Sequence, residues 1–192
     1  MIFLDPDLDP DPVPNATQAS PSAVPGHGEP SRSNKVPSTR TLARFLAMAQ
    51  KAARLRGRVS VLLTTDREMR RLNHQFRGID KPTDVLSFPA EAFIQSRERI
   101  AGDLAISVPT ARRQGIEQGH SLGTELKVLL LHGLLHLAGY DHETDHGQMA
   151  RREQRLRAQL GLPQGLIERA MRNPRLKKVG HTSGGRAAGA RA

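Results

Sequence analysis

From Leu122 to Leu137 the chain reads LGTELKVLLLHGLLHL, a run apolar on nearly every side of a helix. Such a helix has no broad polar face to give to water, so it must lie at the centre of the fold with other elements packed round it. Ser121 offers its hydroxyl as the N-cap, and Gly139 supplies the left-handed turn that ends the helix. Two histidines, His132 and His136, sit inside the run. Imidazoles in apolar surroundings need polar partners, so the central helix is also where chemistry is to be sought.

At a spacing of four, both rings fall on one helix face, about 6 Å apart. From there both can reach one ion at about 2.0–2.1 Å. After Gly139 the chain continues Tyr140-Asp141-His142, and the turn can swing His142 back as a third nitrogen ligand. Three imidazoles leave one position of a tetrahedral zinc open, as in catalytic rather than structural sites. With eight His in 192 residues, these offsets arise by chance in roughly one chain in a hundred, before the glycine or the helix is required. There is no cysteine, so thiolate ligands and disulfides are excluded, and a reducing cytosol suits the chain. The expectation is one zinc per chain on His132, His136 and His142.

The spacing H-x-x-x-H-x-x-G-x-x-H is that of the metzincin proteases. Those enzymes place Glu directly after the first His as general base, and here the residue is Gly133. A missing general base typically costs about 10²–10⁴-fold in rate. The ligand geometry is kept while the proteolytic chemistry is not.

Around the central helix the periods switch between strand and helix. Ser38 or Thr39 caps a helix carrying Leu42, Phe45, Leu46 and Ala49 on one face. Arg58 to Thr64 (RVSVLLT) reads as a strand. Thr65 and Glu68 form a capping box for a helix with Met69, Leu72 and Phe76. Asp84 to Phe88 is a strand stopped by Pro89, Gly102 to Val108 is another, and Pro109 opens a helix through Gln118. A last helix spans about Thr144 to Leu160, where Met149 and Glu153 pack and solvate it. The elements are interspersed without strict alternation. That implies an α+β domain, a small mixed sheet packed with helices, with the metal site on a central buried helix.

The structured domain is expected at 38–170. Residues 1–37 read as an acidic, proline-rich extension. From residue 5 onward it cannot bury enough surface to offset its ordering entropy, so it is expected to be disordered. Residues 1–4 have the composition of a short edge strand, although the proline-rich stretch beside them argues against one. Residues 171–192 form a basic, low-complexity tail, also expected to be disordered.

The formal net charge is +10. Asp5, Asp7, Asp9, Asp11 and Glu29 make the first thirty residues acidic, and Arg172, Arg175, Lys177, Lys178, Arg186 and Arg191 make the tail basic. The stretch between them is itself strongly basic, which suits a polyanionic partner and equally a solvated surface. Base-stacking RNA readers need exposed aromatics. With no Trp and one Tyr, a nucleic-acid partner would be met through its charged backbone. No stretch approaches the ~18–20 apolar residues of a membrane span, and MIFLDPDLDPDP lacks the basic start and apolar run of a signal peptide. A cytoplasmic protein with no membrane partner is expected.

The run HGLLHLAGYDH (132–142) resembles the signature of the YbeY family, bacterial single-strand-specific endoribonucleases also called rRNA maturation factors. A second block, NHQFRGIDKPTDVLSFP (73–89), is similar to that family's N-x-x-Y/F-R-G-x-D-x-P-T-D-V-L-S-F-P. A third, GDLAIS (102–107), resembles its G-D-I-x-I-S strand. The blocks occur in the family's order and cover about residues 40–165. Residues 5–37 and the basic tail have no counterpart.

The resemblance implies an α+β fold, zinc on His132, His136 and His142, and an arginine at Arg77 facing the metal cleft. It implies cleavage of single-stranded RNA in small-subunit rRNA 3′-end maturation and ribosome biogenesis, with the ribosomal subunit or its assembly proteins as partners. Zinc lowers the pKa of bound water toward about 7 and polarises a phosphoryl oxygen. Arg77 can grip a phosphate with both arms of its guanidinium. The attacking group is either zinc-bound water or the RNA 2′-hydroxyl. Asp84 and Ser87 either line the cleft or make structural hydrogen bonds. Asp141 either orients a ligand histidine or stabilises its turn. The competing readings are a non-catalytic, zinc-containing RNA-binding assembly factor and, further off, a metalloprotease.

Overall fold

The computed structural model describes residues 1–8, 34–91, 98–141 and 144–164, and Met1–Leu162 pack as one unit. In chain order the elements are β1 (Ile2–Leu4), α1 (Thr39–Ala53), β2 (Arg58–Thr64), α2 (Asp66–Arg77), β3 (Val85–Pro89), β4 (Ile100–Ser107), α3 (Val108–Gln118), α4 (Leu122–Leu137) and α5 (Gln148–Gln159). The strands form one mixed sheet in the order β1-β2-β4-β3. Strands β1, β2 and β4 run parallel, and β3 runs antiparallel to β4. This is the α+β architecture that the pattern implies.

Alternation along the strands sorts side chains to two faces. Val59, Val61 and Leu63 of β2 and Leu104 and Ile106 of β4 join α1 and α4 in one core. Leu130, Leu131, Leu134 and Leu135 have no exposed surface at all, so α4 is the central helix its composition requires. Among the described residues no helix is long and apolar enough to cross a membrane. On β3, Ser87 pairs with Leu104 and Val85 with Ile106, which puts both on the face that meets α4. Leu86 and Phe88 turn the other way and pack with Met69, Leu72 and Ala105.

Local chemistry explains the helix starts. Ser38, Thr65, Ser107 and Ser121 each accept a hydrogen bond from a backbone N–H three residues on, capping α1, α2, α3 and α4. The last helix begins at Gln148 and not at Thr144. The Asp145 carboxylate takes the N–H groups of Gly147 (2.7 Å), Gln148 (3.0 Å) and Met149 (2.6 Å) and so fixes the first turn there.

The extension 1–37 is corrected at its start. Ile2–Leu4 pair in parallel with Val61–Leu63, and the prolines begin only at Pro6, past the strand. Asp5 then bonds the Thr64 hydroxyl, and Asp7 meets Arg67 at 2.6 Å. Residues 9–33 lie outside the described residues, as does the tail 171–192. Phe76, expected on the packed face of its helix, is 57% exposed and touches Phe88 edge-on with ring centroids 5.0 Å apart.

Candidate functional site

Along the C-terminal half of α4, the i, i+4 spacing stacks His132 and His136 on one side of the helix. Their Nε2 atoms stand 3.2 Å apart, with ring centroids at 4.8 Å and planes inclined at 73°. Two ligands each ~2.05 Å from one ion at the tetrahedral angle stand about 3.3 Å apart. The observed separation therefore fits a shared ion.

Behind His132, on the far side of its ring, is Glu153 of α5. Its Oε2 lies 3.0 Å from His132 Nδ1, and its Oε1 accepts from Arg157 Nε at 2.8 Å. Burial alone would raise the Glu153 carboxyl, but the His132 hydrogen bond and the Arg157 charge outweigh it and hold it below the usual range. A carboxylate can only accept, so it fixes the His132 proton on Nδ1 and leaves the Nε2 lone pair for the cleft.

Both rings open into a cavity of about 630 Å³ between β3 and the end of α4. Arg77 lines the same cavity, as do Thr83 to Ser87 and, beyond the helix, Gly139, Tyr140 and Asp141. The structure thus brings together Arg77, His132 and His136. His142 lies outside the described residues, and among those described no group of three His, Asp or Glu side chains is placed to hold a metal.

Arg77 is the exposed last residue of α2, directly before Gly78, whose φ of 71° turns the chain toward β3. Two acids of the following loop are hydrogen-bonded. Arg70 grips Asp80 with two bonds of 2.6 Å. Asp84 accepts from the Val85 N–H at 2.8 Å and from Gln114 Nε2 at 3.0 Å. Asp84 therefore lines the cleft and is structurally bonded at once. Ser87 also faces the cleft, with its hydroxyl 3.4 Å from the Gly133 carbonyl. Asp141 accepts from Thr144 Oγ1 at 2.9 Å across its turn.

The glycine that replaces the protease glutamate has a packing reason. A Cβ on Gly133 would stand 2.8 Å from Leu104 Cδ2 and 3.3 Å from Ser87 Oγ. The helix lies so close to β4 and β3 that a side chain there would have to displace Leu104. The base position of a metzincin is filled by the sheet.

Glu153 is the site residue that the sequence pattern misplaces as a solvating group. The signal was available. Met149 and Leu156 are buried, and Glu153 lies four residues after one and three before the other, a carboxylate on the inner face of its helix.

A family model described as endoribonuclease YbeY matches residues 31–161. An endoribonuclease YbeY from Koribacter versatilis is 54% identical over 132 residues, 69% of this chain and 84% of the relative. One from Solibacter usitatus is 50% identical over 128 residues, 67% of this chain and 83% of that protein. One from Helicobacter pylori is 42% identical over 112 residues, 58% of this chain and 78% of its own length.

Proposed function

This chain belongs to the endoribonuclease YbeY family, and from that premise we propose that it cleaves phosphodiester bonds of single-stranded RNA in the cleft between β3 and α4. The proposal includes one zinc ion per chain, held by His132, His136 and His142, and a role in small-subunit rRNA 3′-end maturation. The observation that carries it is the Nε2 pair of His132 and His136 at 3.2 Å, backed by Glu153 and facing the cavity that Arg77 also lines.

When bound, the ion supplies a Lewis acid and a neutral-pH source of hydroxide. The protein's own groups do the rest. Glu153 holds the His132 tautomer, so that its lone pair points at the ligand position. Arg77 pairs with the non-bridging oxygens of the phosphate and meets the charge that develops there. The net charge of +10 draws the polyanion to the surface. The space beside His132 where a protease keeps its glutamate is closed by Leu104 and Ser87, which argues against peptide hydrolysis.

Purified protein should cleave a single-stranded RNA oligonucleotide, lose that activity in chelator, regain it with zinc, and lose it in His136→Ala. The product ends then identify the attacking oxygen: a 2′,3′-cyclic phosphate marks the 2′-hydroxyl, and direct hydrolysis marks water. RNA binding without turnover at any metal loading would return the assembly-factor reading.

A further inference from the structure

Tyr140 lines two cavities. One is the histidine cleft; the other, of about 460 Å³, lies between the C-terminal end of α1 and α5. Arg54, Arg152 and Arg155 line this second cavity together with Leu55 and Ala138, and among the described residues no acid lines it. The acid nearest in sequence on α5, Glu153, is committed to His132 and Arg157.

Arg152 shows that the site is incomplete. Its Nη2 donates to the Ala52 carbonyl at 2.9 Å, which fixes the guanidinium. Its Nε is buried and, among the described residues, has no hydrogen-bond partner. A buried N–H on a cation is costly to leave without an acceptor. Among the described residues, Arg155 bonds only a backbone carbonyl, Arg151 O at 3.2 Å. Among the described residues, none of the three arginines makes an ion pair. Three uncompensated guanidiniums round a concave space call for an anion with several acceptor oxygens, and a phosphate matches the guanidinium fork.

We propose that this cavity is a second phosphate site. It takes a backbone phosphate of the same RNA strand whose scissile phosphate lies in the histidine cleft, with Tyr140 between the two. The inference rests on the RNA-cleavage reading and deepens it. The cavity sets how the strand lies across Tyr140, and so which bond reaches the histidines. Its arginines position substrate without touching the reacting atoms.

The test uses the full chain and the double variant Arg54→Gln, Arg155→Gln. Arg152 is kept because it supports Ala52. Binding of a labelled single-stranded RNA is measured against salt in a His136→Ala background in both arms, so that turnover does not intrude. The double variant should bind about tenfold more weakly. Its slope of log affinity against log salt should be shallower by about 0.7 for each phosphate that is no longer neutralised. With His136 restored, KM should rise by a similar factor while kcat stays unchanged, and a dinucleotide, which has no second phosphate, should be cleaved equally by both proteins. Arg155→Gln alone serves if the double variant does not fold. Equal RNA affinity and equal salt slope overturn the proposal. So does a fall in kcat at constant KM, or a site that responds to inorganic phosphate while RNA binding is untouched. If no protein cleaves RNA yet the double variant still binds it more weakly, the phosphate site stands and the enzymatic reading fails.

Discussion

Glu153 Oε2 lies 3.0 Å from His132 Nδ1, across 21 residues of chain. That contact decides which nitrogen of His132 is available to the cleft. Partners of this kind typically contribute about 10–100-fold in metal affinity. Glu153→Ala should therefore weaken zinc binding by that factor, read by competition with a chromophoric chelator. Glu153→Gln, which keeps an acceptor oxygen, should recover part of it. Melting in the presence of chelator separates the metal effect from any loss of packing round Arg157. Wild-type zinc affinity in a folded Glu153→Ala protein would sink this role for Glu153.

Gly133 reports on the fit of α4 to the sheet. In an open helix, Gly→Ala is stabilising by about 1 kcal/mol. Here the added methyl meets Leu104, whose side chain is 1% exposed, and overpacking of that kind costs about 1–3 kcal/mol. Gly133→Ala should thus lower the melting temperature, and trimming the neighbour in Gly133→Ala, Leu104→Val should restore some of it. Gly133→Glu should unfold the helix contact and yield no peptidase. A Gly133→Ala protein more stable than wild type would show that the sheet yields more readily than its packing implies.

The acid stability of the fold should depend on Asp66. This first residue of α2 accepts from Ser107 and from Thr110 Oγ1 (2.7 Å), and pairs with Arg113 at 2.9 Å, tying α2 to α3. Burial pushes its carboxyl up, but the two hydroxyl bonds and the Arg113 charge outweigh it and hold the carboxyl below the usual range. The folded state therefore binds this proton less tightly than the unfolded chain does. The stabilisation is complete above the unfolded value, about 3.9, and is lost as pH falls through the lower folded value. Asp66→Asn should melt earlier than wild type at neutral pH, with the gap closing in acid. A gap that stays constant down to strongly acid pH would assign the effect to shape and not to charge.

What was legible in the sequence was local. The Ser121 cap, the apolar run and the i, i+4 histidines are all written within one helix, and the structure places them as written. Alternation along β3 left Ser87 open between cleft and structural bonding, and only the pairing with Leu104 puts it on the face that meets α4. What escaped was contact between distant segments. Nothing near Ile2–Leu4 announces that Val61–Leu63 lie alongside to complete the edge. The start of α5 moved because an acid ahead of the helix, Asp145, reaches three N–H groups. Gly133 looked like a lost base, yet its cause is the position of Leu104 on a strand packed against it. Glu153 looked like surface because its partner is on another helix.

Arg77 is proposed to act on the phosphate and not on the fold. It is exposed at the end of α2, where a side-chain ion contact contributes at most about 1 kcal/mol. Arg77→Ala should therefore leave zinc content and melting temperature close to wild type. RNA cleavage should fall by about 10²–10³, the usual loss when one charge-stabilising donor is removed. Arg77→Lys should recover only part, because a point charge cannot reproduce the planar fork. Wild-type cleavage by a folded Arg77→Ala protein would remove Arg77 from the mechanism. A parallel loss of melting temperature and activity in both variants would instead make it a brace for the turn at Gly78. Melting and cleavage measured on the same preparations separate these outcomes, since only the phosphate role lets activity collapse while the fold stands.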